Sequence, residues 1–534
     1  MSASSPIPEP VPSPKKPGLL RSSAVVSCFT MLSRFLGLAR DVVLARFIGA
    51  SGDMDAFIVA FKIPNFLRRL FAEGAFAQAF VPVLSEYRSA GSHAAVRHFV
   101  DRIAGCLGLT LVALTLVVVL ASPLFAAIFG MGFYLNDPQK FILTSDLLRI
   151  TFPYLLLISM TGLAGAILNS YDQFAVPALT PVLLNVALIS AAVVVAPMLD
   201  TPVFALAWGV LVAGIIQFLF QLPFLMRLGL LPHPKIDWTD AAVMKVLKLM
   251  GPAIFGVSVS QINLLFDTVL ASFLPNGSVA WLYFSDRLTE LPLGVFAIGI
   301  ATVILPNLSR QFSQQQAQFS HTLDWAIKLV LLIAIPSAVA LIIIATPILF
   351  TLFQYDKTTV FDVNMASYSL RAYAIGLIAF MLIKVLVSGY FSRQDTRAPV
   401  KIGIIAMVSN MGLNLVFVLP LHFIWQIGHM GLALATSASA FINAALLYRG
   451  LRKESVYTPD PGTGSFLLKL VVANTVMASA LLITLFVLPS FATQTWWMRC
   501  LLLSLFVLVG LLSYGVTLFA SGLRLADFRA PVLD

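Results

Sequence analysis

Residues 33–87 read SRFLGLARDVVLARFIGASGDMDAFIVAFKIPNFLRRLFAEGAFAQAFVPVLSEY. The stretch is apolar enough to cross a membrane twice. It nevertheless carries Arg34, Arg40, Asp41, Arg46, Asp53, Asp55, Lys62, Arg68, Arg69 and Glu73. One Arg, Lys or Asp at the centre of a membrane helix costs ~2.5–3.5 kcal/mol on insertion scales. Several in one hairpin require compensation, either from water in a cavity or from an anionic ligand. Which of the two applies is the question of function.

The rest of the chain supports a membrane setting. Of 534 residues, 59% are hydrophobic and 11% charged, against roughly 25% charged in soluble domains. This composition excludes a soluble class and predicts an all-α polytopic membrane protein. The formal net charge of +10 reads as Lys/Arg-rich cytoplasmic loops, with no nucleic-acid partner expected. Cys28, Cys106 and Cys500 form no C-x-x-C pair and read as small packing residues. No Walker A, G-x-G-x-x-G, H-E-x-x-H or G-x-S-x-G motif occurs, so neither an enzyme nor direct ATP use is expected. The six histidines all fall near loops and read as interfacial. Residues 1–20, rich in Pro and Ser, predict a disordered tail, and the apolar run after them lacks a signal-peptide cleavage pattern.

Apolar runs split at Gly, Pro and polar breaks give fourteen helices. They are expected at 23–49, 54–86, 98–129, 142–169, 175–197, 202–228, 242–273, 279–310, 322–353, 361–391, 398–420, 428–449, 465–489 and 496–520. Alternate loops hold Lys/Arg, among them Arg88, Arg97, Arg102, Arg227, Lys235, Arg393, Arg397, Arg449 and Arg452. The intervening loops, GASGD, GFYLNDPQ, APMLDTP and LPNGS among them, hold hardly any. Both termini are therefore expected in the cytoplasm. Residues 232–250 begin amphipathically and are expected to lie along the inner surface before the seventh helix enters.

An internal repeat divides the spans. Asp41-Val-Val-Leu-Ala-Arg-Phe resembles Asp267-Thr-Val-Leu-Ala-Ser-Phe, Val81-Pro-Val-Leu-Ser resembles Leu305-Pro-Asn-Leu-Ser, and Arg149 precedes Pro177 as Arg371 precedes Pro399. The constant offset covers six helices and predicts two parallel six-helix lobes around a central cavity, plus two extra C-terminal helices. The expected units are the first lobe at 21–228, a cytoplasmic linker at 229–241, the second lobe at 242–449, a cytoplasmic loop at 450–464, and the final pair with a short tail at 465–534.

Within this frame Arg34, Arg40, Arg68 and Arg287 read as ligand-facing. Their guanidinium forks suit phosphate or carboxylate oxygens. Arg34 and Arg40 point about 120° apart on an ideal helix, so a bend at Gly37 is expected to bring both inward. Asp41 and Arg69 read as structural partners. A second polar group, Asp267, Asn410, Asn414 and Thr436, offers oxygens suited to a hard cation such as Na⁺, or else to interhelical hydrogen bonds.

The runs SRFLGLARDVVLARFIGA, DAFIVAFKIPNFLRRLFAEGAFAQAFVPVLSEY, RITFPYLLLISMTGLAGAILNSYDQFAVPALTPVLLN, GPAIFGVSVSQINLLFDTVLASFL, SDRLTELPLGV and GYFSRQDTRAPVKI closely resemble the MurJ (MviN) lipid II flippases of the MOP exporter superfamily. The resemblance implies a bacterial inner-membrane flippase for cell-wall biosynthesis. It would move the undecaprenyl-diphosphate-linked peptidoglycan precursor, lipid II, from the inner to the outer leaflet by alternating access. It places the cavity arginines at Arg34, Arg40, Arg68 and Arg287, and coupling acids at Asp55, Glu73 and Glu290. It makes the last two helices a groove for the lipid tail. It also implies a Na⁺ site in the second lobe, with Asn414 replacing one family carboxylate at the cation position; a cationic cavity moving in the field makes the membrane potential the other candidate energy source. An exporter of another substrate, or a non-transporting scaffold among cell-wall synthesis proteins, are the alternative readings.

Overall fold

The computed structural model describes residues 19–69, 76–90, 92–314 and 316–524. Glu73 and nearly all of the expected N-terminal tail lie outside the described residues. Those described form α-helices and no strand. In chain order the helices are α1 (Leu19–Phe47), α2 (Gly52–Leu67), α3 (Ala77–Ser89), α4 (His93–Leu120), α5 (Ser122–Phe129), α6 (Met131–Asn136), α7 (Pro138–Thr151), α8 (Tyr154–Ser170), α9 (Ala175–Ser190) and α10 (Val203–Arg227). The second half adds α11 (Ala241–Ser272), α12 (Ser278–Pro292), α13 (Ile298–Gln314), α14 (Gln316–Ile343), α15 (Ala345–Phe353), α16 (Val360–Phe391), α17 (Arg397–Trp425), α18 (Gly428–Lys453), α19 (Thr463–Val487) and α20 (Trp496–Ala520). Eleven spans among the described residues are long and apolar enough to cross a membrane.

Several expected single helices are broken, each beside a proline. The 98–129 span breaks at Ala121 before Pro123, and the 142–169 span turns at Phe152–Pro153. The 279–310 span passes through a π-helical turn, Leu293–Ala297, directly after Pro292. The 322–353 span breaks at Ile344, before Pro347. Proline removes one backbone donor and clashes with the preceding turn, and neighbouring groups must satisfy what is freed. The breaks obey the repeat. Arg149 of α7 donates from Nε to Ser122 Oγ (2.8 Å) at the α4–α5 break. Arg371 of α16 donates to Thr346 Oγ1 (3.1 Å) at the α14–α15 break. Helix α1, by contrast, runs through Gly37 unbroken, so no bend there is needed.

The apolar core shows how the lobes meet. One cluster, including Leu44, Met54, Phe133, Trp281 and Phe353, draws on helices of both lobes. It lies at the end whose loops are poor in Lys/Arg. Towards the Lys/Arg-rich end the core divides. Phe76, Phe80, Phe99 and Leu168 pack in the first lobe, while Phe319, Leu323, Leu386 and Leu447 pack in the second. The lobes thus share one core at one end, where they are fused, and have a core each at the other, where the start of α11 (Ala242, Val243, Val246) packs onto the first-lobe cluster and Lys245 pairs with Glu86. At the fused end the approach is close. Gly277 has φ +93°, and a Cβ there would stand 2.8 Å from the Ala50 carbonyl oxygen of the opposite lobe.

The stretch before α11 is an extended strap across the base of α4. The His233 amide donates to Asp101 Oδ1 (2.7 Å) and the Lys235 amide to the Asp101 carbonyl (3.0 Å). Arg102 pairs with Asp237 (3.2 Å) and with Asp240, which also caps α11. The Thr239 hydroxyl, donating to Asp237 (2.7 Å), holds that carboxyl below its ordinary range. The final pair packs on the second lobe. Arg499 of α20 donates to the carbonyls of Phe350 (3.0 Å), Gln354 (3.1 Å) and Ala492 (3.1 Å), and Tyr514 donates to that of Leu332 (2.7 Å). His429 departs from its expected interfacial place. It is fully buried, with Nε2 3.0 Å from the Met365 carbonyl and its ring against Trp281.

Candidate functional site: a cationic cavity between the lobes

Helix α1 packs on α9, where Asn185 donates from Nδ2 to the Ser33 carbonyl (3.0 Å). The same amide accepts from Arg40 Nη1 (3.0 Å). Arg40 closes on its neighbour Asp41, with Nη2 2.7 Å and Nε 2.9 Å from Oδ1. From the opposite lobe, α12 brings Arg287 Nε to 3.4 Å from Asp41 Oδ2. Tyr283, one turn earlier on α12, completes the group. Its hydroxyl accepts from Arg40 Nη2 (2.9 Å) and donates to Asp41 Oδ1 (2.9 Å), and its ring lies 5.1 Å from the Arg287 guanidinium carbon. Arg287 also pairs with Glu290 (2.9 Å). A buried carboxylate without partners is strongly destabilising. Asp41 therefore fixes two guanidinium groups, one from each lobe, at a single point.

The space around this point has two compartments. One, of about 470 Å³, is lined by Arg34, Arg40, Asp41, Arg287 and Glu290. The other, of about 220 Å³, is lined by Arg40, Lys62, Arg68, Arg69, Asp286, Arg287 and Glu290. Together, among the described residues, six basic and three acidic side chains face the cavity, a formal excess of three positive charges. Arg34 reaches across to the π-helical turn after α12. A Cβ at Gly294 would meet the Arg34 guanidinium, the movable tip of that side chain, so the arm lies directly against the glycine. Arg68 donates from Nε to Asn65 (3.3 Å) at the end of α2. Lys62 donates to Thr268 of the second lobe (3.3 Å).

Asp55 is remote from this cavity, at the fused end. Its Oδ2 accepts from Lys140 Nζ (2.9 Å) and from the Gly277 amide (2.7 Å), and its Oδ1 from the Ala280 amide (2.9 Å). A first-lobe carboxylate thus caps the N-terminus of the second-lobe helix α12, where the helix dipole favours negative charge. Lys140 also donates to Asn276 (2.9 Å) and lies over the Phe133 ring (4.1 Å).

The second polar group also converges. Asn414 Nδ2 donates to Asp267 Oδ1 (2.7 Å), and the Asn410 amide lies 2.9 Å from Asn414 Nδ2 and beside Thr436. Asn414 Oδ1 is buried and has no donor among the described residues. No group of three or more His, Cys, Asp or Glu comes together among the described residues. This oxygen-rich set of one carboxylate, two amides and a hydroxyl suits a hard monovalent cation better than a transition metal.

Tyr283, Asn185 and Lys140 escaped the sequence reading. Tyr283 was accessible as the residue one turn before Arg287. Lys140 stands just beyond the GFYLNDPQ loop, at the start of a helix, where a positive charge draws no notice. Asn185 carries no charge and lies in an apolar run.

The description "Lipid II flippase MurJ" belongs to the family model that matches residues 44–507. A Vibrio cholerae protein named "Probable lipid II flippase MurJ" is 50% identical over 522 residues, covering 96% of this chain and 98% of its own. A solved structure described as lipid II flippase MurJ in an inward closed conformation superimposes with a TM-score of 0.78 at 28% identity, covering 93% of this chain and 99% of its own. An inward-facing multidrug-resistance MATE transporter of the MOP superfamily shares the fold, with a TM-score of 0.64 at 16% identity over 81% of this chain and 98% of its own. With the family model spanning most of its length and a relative identical at half of the aligned positions, this chain belongs to the MurJ lipid II flippase family.

Proposed function

We propose that the protein flips lipid II, the undecaprenyl-diphosphate-linked glycopeptide, from the inner to the outer leaflet of the bacterial cytoplasmic membrane. Transport proceeds by alternating access and without a covalent step. One observation carries this reading: Arg40 and Arg287, from opposite lobes, converge in a cavity whose described lining has an excess of three positive charges. A diphosphate brings negative charge that hydrocarbon cannot solvate. Guanidinium forks replace its water with directed hydrogen bonds, while the polyprenyl tail remains in lipid beside α19 and α20. Arg34, Arg40 and Arg287 form the clamp. Arg68, with Glu73 and Glu290, couples the clamp to lobe closure, and Asp55 gates the fused end.

The Lys/Arg-rich end, where each lobe has its own core, is the cytoplasmic one by loop charge, and both termini lie there. The membrane potential acts on the net positive cavity and helps return it. The proposal includes a Na⁺ held by Asp267, Asn410, Asn414 and Thr436. The undonated Asn414 oxygen supports it, and the bound ion would supply positive charge beside the buried Asp267 carboxylate.

Conservative Arg→Lys changes at 34, 40 and 287 test the clamp, because lysine keeps the charge and loses the fork. Outward movement of precursor, measured in cells depleted of the wild-type protein, should fall with each change at normal protein level. Unchanged movement in all three would overturn the clamp. Undiminished movement on depletion alone would leave only a scaffold.

A further inference from the structure

A third cavity, of about 630 Å³, lies within the first lobe among α3, α8, α9 and α10. It is not isolated. It shares Arg68 with the smaller central compartment, and Pro181 and Leu184 with the larger one. It is therefore a side chamber of the clamp, within the ~300–1,000 Å³ range of small-ligand sites.

Two side chains give the chamber its chemistry. Gln217 and Gln221 lie one turn apart on α10 and are each 1% exposed. Gln217 Nε2 donates to the Thr180 carbonyl (2.9 Å). Gln221 Nε2 donates to Thr180 Oγ1 (2.8 Å), and that hydroxyl spends its own proton on the Val176 carbonyl (3.0 Å). These bonds fix which end of each amide is nitrogen. Both Oε1 atoms are left buried with no donor among the described residues. Buried acceptors without donors are costly and rare in native structures. Both glutamines line the chamber, and each Oε1, held just behind its surface, is an acceptor still without a donor; Asn169, Ser170 and Thr161 are further polar lining. Among the described residues Arg68 is its one charged lining residue and no carboxylate lines it. Amide oxygens repel an anion, and without a carboxylate a cation gains little. The fitting ligand is neutral and rich in O–H and N–H donors.

We infer that this chamber is the subsite for the sugar and amide portion of the transported headgroup, the part beyond the diphosphate. The inference rests on the flippase reading, since it supplies the ligand that reaches both compartments. Arg68, shared between the chamber and the smaller compartment, stands where diphosphate gives way to sugar.

The test compares two ligands on purified full-length protein in nanodiscs. Complete lipid II carries tail, diphosphate, sugars and peptide, whereas undecaprenyl diphosphate carries only the first two. Two variants probe the chamber differently. Gln221→Met removes an acceptor at nearly constant volume. Gly162→Leu fills the space: Gly162 lines the chamber, and a Cβ there meets nothing within 4 Å. Leucine is also the better helix former, so the change does not weaken α8 itself. Both should weaken lipid II binding by about tenfold or more, the scale of one or two lost hydrogen bonds, and leave undecaprenyl diphosphate binding unchanged. Unaltered lipid II affinity in both variants means that only water fills the chamber and overturns the inference. So does an equal loss for both ligands. Wild-type protein that binds neither ligand would refute the flippase reading itself, and the subsite with it.

Discussion

Replacing Asp55 with Asn should release the fused end of the two lobes. Asp55 and Lys140 are a buried pair, and the carboxylate also accepts from two backbone amides of the opposite lobe. Asparagine keeps one acceptor oxygen and loses the charge. Lys140 is then left buried with Asn276 and the Phe133 ring. Breaking a buried ion pair by removing one partner costs ~3–5 kcal/mol. That penalty falls on the closed arrangement, because Lys140 regains water when the lobes part. Taking ~3 kcal/mol, the closed-to-open ratio shifts by about 150-fold. An end that opens about once in a thousand would open about once in eight. Spin labels on cysteines at Met198 and Trp425, 79% and 61% exposed on opposite lobes at that end, report the separation. The background needs Cys28, Cys106 and Cys500 replaced by serine. Pulsed electron–electron distance measurements should show a new, longer population in Asp55→Asn. Adding Lys140→Met should reverse much of it, since an apolar replacement leaves no stranded charge. An unchanged distance distribution, in protein of unchanged thermal stability, would refute the latch.

Two further outcomes follow from the same geometry. Gly277→Ala forces a side chain onto φ +93° and against the Ala50 carbonyl oxygen. It should cost about 1–3 kcal/mol and lengthen the same label distance; a wild-type distance and melting temperature would contradict it. Arg149→Gln and Arg371→Gln each remove a charged donor at a helix break, worth about 1.5–3 kcal/mol. As the two breaks share no partner, their effects on thermal unfolding should add, and strong non-additivity would count against two independent anchors.

The architecture was readable because its determinants are averages over many residues. Apolar run length, loop charge and a constant repeat offset survive errors at any one position. The breaks at Ala121, Phe152–Pro153, Leu293–Ala297 and Ile344 were not readable that way, since both halves of each span are equally apolar. The nearby prolines were the usable signal. The charged residues of the site were legible for a related reason: each was anomalous in its helix. Tyr283 and Asn185 were not, because a neutral polar residue in an apolar run has no signature until its partner is known. Gln217 and Gln221 passed as ordinary members of the 202–228 run for the same reason. The bend expected at Gly37 treated Arg34 and Arg40 as short vectors. Their long side chains reach one cavity from an unbroken helix.

The repeat also explains why the cavity is lopsided. Asp41 and Asp267 occupy corresponding positions on the first helix of each lobe. In the second lobe the carboxylate meets amides from α17, Asn414 directly and Asn410 beyond it. In the first it meets Arg40 and, across the gap, Arg287. One inherited carboxylate therefore became part of an oxygen-rich cluster and the other a counter-ion for arginines. The second role is a requirement of the chemistry. Two guanidinium groups held close together without an anion repel each other, so an empty clamp needs a resident negative charge. Asp41 meets that need without closing the site, because its two arginines are unequally held. Arg40 is locked by Asp41, Asn185 and Tyr283. Arg287 keeps 38% of its side chain exposed and holds Asp41 only at 3.4 Å. On the flippase reading a diphosphate meets Arg287 and Arg34 first. It gains Arg40 only if Asp41 and the Tyr283 hydroxyl yield their place, which ties full ligation of the anion to a rearrangement between the lobes.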